Sequence, residues 1–422
     1  MAKKTANTPA AKAKKLSAEA SAIKQAADRG EPVSRMEPLL IAEGSRDRGA
    51  LIDLCLELAA KASGFRRSLP PGLLAALADL VRAMNCYYSN LIEGHDTHPI
   101  DIERALKNDY SLDVTKRNLQ LEAKAHIAVQ AWIDNGGLSG KAATMQAVCE
   151  IHRRFCDLLP EELLRVTEPE TGEALRVTPG ALRQRDVRVG VHIPVSPGAV
   201  PRFMQRFEAV YTLLGKAEVI LASAAIHHRL LWIHPFLDGN GRVARLMSHA
   251  QLLNLLDSGG VWSIARGLAR NVNQYKSPLA NCDLQRRNDL DGRGNLSEEA
   301  LVDFTRFFLE TCLDQVTFME DLMQPDRLRA RVLVWAEEET RLGNLPQRAG
   351  QILEAILYRG QLPRAQVATL LGAQERTARR VTSALLQQGV LVSDSTKAPL
   401  RLAFPARLAA RWMPGLFPDR LG

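Results

Sequence analysis

The sequence predicts a mainly α-helical protein with a small β-hairpin and a mixed helix–ribbon unit at its C-terminal end. Three observations lead there. Apolar residues recur at helical spacing through most of residues 51–323, as in Leu73, Leu74, Leu77, Leu80 and Val81. Strand spacing shows within 166–201, where Val187, Val189, Val191 and Ile193 alternate with Arg188, Gly190 and His192. After Asn344-Leu345-Pro346 the pattern shifts to short helical runs followed by a ribbon.

The chain has 422 residues, 46% hydrophobic and 24% charged, which suits two or three globular domains. No apolar run reaches the roughly 18–20 residues that cross a bilayer, so no membrane partner is expected. No apolar leader segment stands out near Met1. The six cysteines are scattered, without a Cys-x-x-Cys pair. Buried free thiols and a cytoplasmic location are the expectation. The net charge of +8 is uneven: residues 1–25 carry six Lys and one Glu, and 346–422 carry eleven Lys or Arg against four acidic residues. Residues 26–345 therefore sum to −4, and a nucleic-acid partner would belong to the two ends.

Taken in order, residues 1–30 are rich in Ala and Lys and lack aromatics, which predicts a disordered basic tail. Residues 31–110 form an N-terminal helical region. Pro70-Pro71 separates an apolar run from Leu51 from a second run from Leu73, and Ser89-Asn90-Leu91-Ile92-Glu93-Gly94 follows as a helix end. Residues 111–330 form the helical core. Within it His152 reads as a packed helix histidine, and the alternating stretch at 187–193 as a hairpin stopped by Pro194, Pro197 and Pro201. Asp291 to Glu299 lacks the alternating acidic ligands of a calcium loop and reads as a loop with Ser297 capping a long helix over about Leu301–Met323. In 346–422, helical runs at Gly350–Tyr358, Arg364–Leu371 and Gln374–Gln388 precede a ribbon through Gly389–Val392 and Leu400–Phe404. This order resembles a winged-helix domain. Its third helix carries Arg376, Arg379 and Arg380, which would face DNA; contact with another protein is the alternative.

The stretch that carries chemistry is Ile233-His234-Pro235-Phe236-Leu237-Asp238-Gly239-Asn240-Gly241-Arg242-Val243-Ala244-Arg245. Pro235 lacks an amide donor and ends the apolar helix leading in, which leaves His234 at its exit. Gly239 and Gly241 flank Asn240, a turn able to aim consecutive amides at an anion. A new helical run begins at once, so a helix N-terminus also faces that anion. Arg242 and Arg245 share a helix face. Asp238 is a hard oxygen ligand of the kind a nucleotide-bound Mg2+ takes. Singly, each feature has an ordinary reading: a helix-end histidine, a turn, a solvated pair of arginines. Their conjunction within thirteen residues points to phosphate chemistry.

This stretch resembles the Fic family signature, His-x-Phe-x-(Asp/Glu)-Gly-Asn-Gly-Arg-x-x-Arg, at every fixed position. The resemblance implies an all-helical Fic-type core that moves AMP from ATP to a Ser, Thr or Tyr hydroxyl of a protein, with Mg2+ as cofactor. It implies His234 as general base and Asp238 as metal ligand. Gly239, Asn240, Gly241, Arg242 and Arg245 would bind the nucleotide phosphates, and Tyr275 would lie near the adenine. A related branch that transfers a phosphoryl group has Lys where Gly241 stands. Ser89, Glu93 and Gly94 match the (Ser/Thr)-x-x-x-Glu-(Gly/Asn) mark of an inhibitory helix, so Glu93 would sequester Arg245. The hairpin would be a flap that aligns the target. Self-modification and a homodimer belong to the same picture. Two rivals share these residues: a hydrolase that removes AMP, and a DNA-binding regulator with a vestigial core.

Overall fold

The computed structural model describes residues 27–138, 142–168 and 172–418. Most of the basic tail therefore lies outside the described residues. Residues 27–31 strap across the 186–196 segment: Arg29 donates to Asp186 at 2.9 Å, and Glu31 accepts from the Ser196 hydroxyl at 2.6 Å.

The long N-terminal helices are α1 (Arg48–Ser68) and α2 (Pro71–Ile92), the latter opened by a proline in its first turn. Then come α3 (Pro99–Leu106), α4 (Val114–Asp134) and α5 (Met145–Cys156). Asp113 and Thr144 cap α4 and α5 through their side chains. Short strands β1 (Arg165–Thr167) and β2 (Ala174–Arg176) pair antiparallel, with Val166 opposite Leu175. Helices α6 (Val200–Tyr211), α7 (Lys216–Ile233), α8 (Asn240–Leu255), α9 (Ile264–Arg270) and α10 (Val272–Asn281) follow. Helix α11 (Glu298–Leu322) closes the core, with Ser297 Oγ accepting from Ala300 N as its cap.

Helix α7 is the axis. Residues Ile220–Leu230 are all buried, so it has no solvent face there. That pattern marks a helix surrounded by others, and α6, α8, α11 and α1 surround it. Its buried polar groups are paired: His227 with Ser248 and Tyr275, His228 with Asp283, Arg229 with the Pro38 carbonyl. The antiparallel α7–α8 pair holds the 233–245 loop at one end of the core. Helices α4 and α5 pack on α8 from one side, and α2 brings its C-terminal end to the same place.

The 187–193 stretch differs from its expected form. It makes a tight turn at Gly190 (φ 59°) closed by one bridge pair, Val189 with His192, instead of two strands. Regular pairing occurs at β1–β2, whose three-residue strands are too short to show a period.

Beyond α11, α12 (Pro325–Arg341) packs on α13 (Ala349–Arg359). Strand β3 (Gln361–Leu362), helices α14 (Val367–Leu371) and α15 (Glu375–Gln387), and strands β4 (Leu391–Val392) and β5 (Leu400–Leu402) complete the unit, in sheet order β3-β5-β4. A last turn, α16 (Ala409–Trp412), sets Trp412 edge-on to Trp335 at 5.1 Å. The chain then returns to the core. Tyr88 in α2 donates to the Leu416 carbonyl at 2.8 Å, Arg266 donates to the Gly415 carbonyl at 2.7 Å, and Phe417 meets Tyr87 edge-on at 5.5 Å. All six cysteines are free, five of them buried. No helix among the described residues is long and apolar enough to cross a membrane.

Candidate active site

Helix α7 ends at Ile233 because Pro235 cannot continue it, and His234 turns the chain with φ 51° and ψ 64°. This left-handed conformation costs a non-glycine residue roughly 1–2 kcal/mol, so its surroundings must hold it. Arg183, 2% exposed, does so. Its Nε donates to the His234 carbonyl at 2.8 Å and its Nη2 reaches the Ile233 carbonyl at 3.5 Å, while its amide donates to the Pro235 carbonyl at 2.9 Å. The His192 ring Nε2 donates to the Trp232 carbonyl at 2.8 Å. Carbonyls left without partners by the helix end are thus satisfied by side chains. Burial, and after it the charge of Arg183, hold the His234 imidazole down at about 4. It is an unprotonated proton acceptor at neutral pH.

The loop between His234 and α8 is braced from within. Asn240 Oδ1 accepts from the Phe236 amide at 3.0 Å, and its Nδ2 donates back to the Phe236 carbonyl at 2.9 Å. The Asn240 side chain therefore shapes the loop, leaving its backbone amide as the donor it offers. Phe236 stacks face to face on His152, ring centroids 3.9 Å apart. His152 Nδ1 accepts from the Gly180 amide at 2.9 Å, and burial pushes this ring down to about 4. It is a packed helix histidine, as expected, and its ring also supports the loop. Gly239 takes φ 79° and starts α8. The amides of the first turn have no acceptor within the helix and, with the helix dipole, form an anion cradle. Asp238 stands exposed at its rim.

Both arginines of α8 are buried and engaged. Arg245 is 3% exposed; its Nε donates to Ser89 Oγ at 2.8 Å, and its Nη2 to the Ser89 carbonyl at 3.1 Å and to Glu93 Oε1 at 2.5 Å. Burial raises the Glu93 carboxyl, but the charge and hydrogen bond of Arg245 outweigh this and hold it below the usual carboxylate range. Glu93 also covers the cradle. A Cβ added to Gly241 would fall 2.2 Å from Glu93 Oε1, so only glycine admits the carboxylate here. Arg242 Nη2 donates to Glu122 Oε2 at 2.9 Å and lies 2.9 Å from His95 Nδ1, which is itself 2.6 Å from the same oxygen. Arg242 Nε is buried without a partner among the described residues. Arg242 borders a cleft of about 190 Å³ lined by Glu93, His95, Glu122, Phe155, Asp238 and Gly239, with aliphatic side chains behind them.

Tyr275 is buried in α10, 2% exposed, with its hydroxyl 2.8 Å from His227 Nε2, and it lies close to Arg245. Burial pushes it up to about 12. The structure thus brings Glu93, Asp238, Gly239, Asn240, Gly241, Arg242, Arg245 and Tyr275 to one end of α8. Arg183, His95, Glu122 and His192 join them without a mark in the sequence, since each reaches the site from 40 to 147 residues away.

Residues 142–252 match the profile of the Fic/DOC family. The protein adenylyltransferase Fic of Drosophila melanogaster is 34% identical over 112 residues, 26% of this chain and 20% of that one. The Drosophila virilis protein of the same name is 27% identical over 169 residues, 40% of this chain and 32% of that one. The chain thus spans a fifth to a third of the length of these curated relatives. Among solved structures, a Fic family protein from Desulfovibrio desulfuricans G20 covers 86% of this chain and 98% of its own, at 16% identity and a TM-score of 0.49. Residues 134–508 of Fic-1 from C. elegans cover 66% of this chain and 73% of their own, at 17% identity and a TM-score of 0.45.

Proposed function

We propose that this protein is an adenylyltransferase that moves AMP from ATP to a hydroxyl side chain of a protein, held inactive at rest by Glu93. The observation that carries the reading is the 234–245 loop: an unprotonated imidazole, an amide cradle at a helix N-terminus and two buried arginines at one end of α8. The name shared by the Drosophila relatives supports it.

In this reading His234 accepts the proton of the target hydroxyl as the oxygen attacks the α-phosphorus. The bond between α-phosphorus and bridging oxygen breaks, and pyrophosphate leaves. The amides of Gly239, Asn240 and Gly241 hold phosphate oxygens as charge shifts between them. Arg242 and Arg245 take the β- and γ-phosphates. An exposed carboxylate beside an anion cradle suits Mg2+ that arrives with a nucleotide, because phosphate oxygens and water complete its shell. Asp238 would hold that ion, which when bound neutralises phosphate charge. Among the described residues no group of three or more His, Cys, Asp or Glu could hold a metal without the nucleotide.

The place of Glu93 supports the autoinhibited reading. Its oxygen lies on Arg245 and against the Cα of Gly241, so it competes with a phosphate for both. The C-terminal unit adds a binding role. Three helices with a three-stranded sheet in order β3-β5-β4 support a winged-helix reading, and Arg376, Arg379 and Arg380 are exposed on α15, as contact with DNA phosphates requires.

The test is label transfer from ATP tagged at the α-phosphate, by the intact chain and by His234→Ala, each in a Glu93→Gly background. Loss of the general base is expected to lower the rate roughly 10²–10⁴-fold. Equal labelling by both would remove His234 from the reaction.

A further inference from the structure

The base of the proposed reaction sits on a strained backbone, and a residue 51 positions upstream in sequence holds it there. We infer that Arg183 is a positioning residue for His234: it caps the end of helix α7 and fixes the left-handed turn that aims the imidazole. The inference rests on the reading of His234 as the base, but its geometry stands apart from that reading.

Arg183 is more than nine-tenths buried, and its guanidinium spends its donors on backbone carbonyls alone. Nε takes His234, Nη1 takes Arg185 at 2.9 Å, and Nη2 takes Val195 and, at longer range, Ile233. Among the described residues no carboxylate pairs with it. Two of these acceptors, Ile233 and His234, are carbonyls at the α7 terminus, where the helix dipole is negative and favours a cation. The planar fork reaches both at once, which a lysine ammonium cannot do in fixed directions. The other acceptors, Arg185 and Val195, begin and end the segment containing the exposed turn at Val191. One buried cation therefore clamps the His234 backbone to the base of that turn.

The clamp has an electrostatic effect as well. Arg183, His192 and Glu93 act on the His234 ring through their charge, besides a hydrogen bond to the Leu231 backbone that favours the protonated ring. Glu93 favours the imidazolium, and the other two oppose it. Arg183 is the largest charge effect, second to burial. Its own burial lowers it to about 10, so it stays protonated at neutral pH. Its fixed charge opposes protonation of the imidazole and so keeps the ring neutral.

The experiment compares Arg183→Gln and Arg183→Lys with the intact chain. The His234 ring is titrated by NMR on carbon-labelled histidine, using His234→Ala to assign it, and label transfer is measured in the Glu93→Gly background. In Arg183→Gln the ring should titrate closer to the free value of about 6.5, with kcat down at least ten-fold and KM for ATP within two-fold. In Arg183→Lys the titration should stay low, because the charge remains. Its kcat should still fall, because one ammonium does not replace the fork. Should the Gln variant not fold, the Lys variant alone decides: wild-type kcat in folded protein overturns the inference. A wild-type titration together with a wild-type kcat in a folded Gln variant overturns it too. If His234 titrates as expected in the variants but no chain transfers label, the proposed reaction fails while the clamp stands.

Discussion

Replacing Glu93 with Gly removes one carboxylate and frees two things, the Arg245 guanidinium and the face of Gly241. The magnitude follows from the contact. A hydrogen bond to a charged group contributes about 1.5–3 kcal/mol, and each 1.4 kcal/mol is about tenfold in an equilibrium. Release of the 2.5 Å bond from Arg245 to Glu93 should therefore raise the nucleotide-competent fraction roughly 10- to 150-fold. The Glu93 side chain is 35% exposed, so solvent screening draws the value toward the lower end. Glu93→Gln keeps the shape and loses the charge, and should fall between the wild type and Glu93→Gly. The assay is incorporation of α-phosphate label into the chain itself and into a cell lysate, read by mass spectrometry as an added AMP. Circular dichroism and thermal melts check that the variants fold. A folded Glu93→Gly chain that labels no faster than wild type would refute the reasoning, because Arg245 would then not be what limits the resting state.

The remaining expectations are simpler. Replacing Arg376, Arg379 and Arg380 with Ala should weaken duplex DNA binding in a gel shift and make its salt dependence shallower, by about 0.9 in slope for each phosphate no longer neutralised; an unchanged slope would assign α15 to another partner. His126 and His227 are held at about 3, by burial first and by the nearby Arg245 charge second. Both are neutral when folded, while the unfolded chain protonates them at about 6.5. Stability is therefore fully present above that pH and is lost as pH falls toward 3, by roughly 1.4 kcal/mol per histidine per pH unit. Denaturant melts from pH 7 to pH 4.5 measure the slope, and a flat profile would mean that the two rings are solvated.

The helices were legible because each buries one face and spells its period, and α7 because it buries all of them. The loop was legible because its parts are contiguous and each has a reason in backbone chemistry. Glu93 lies 152 residues from Arg245, and only the family resemblance pointed to the pair. Arg183, Glu122 and His95 left no signal: a buried arginine on carbonyls and an exposed one look alike in sequence. Asn240 shows a subtler gap. Its place in the loop was legible, but the use of its side chain on Phe236 was not. The 187–193 alternation overstated its sheet, because Arg183 and His192 tie this turn to α7 and one bridge suffices to close it.

The return of the chain's end to α2 bears on how the protein comes apart. Tyr88 and Ser89 are neighbours on one helix turn: the first is tied to Leu416, the second to Arg245. Both contacts are made from the last turns of α2. Cutting away residues 346–422 would thus remove more than a separable appendage. It would take an acceptor and an aromatic neighbour from the residues just ahead of Ser89 and Glu93, so under the autoinhibition proposed above a shortened chain should hold Arg245 less firmly than the whole.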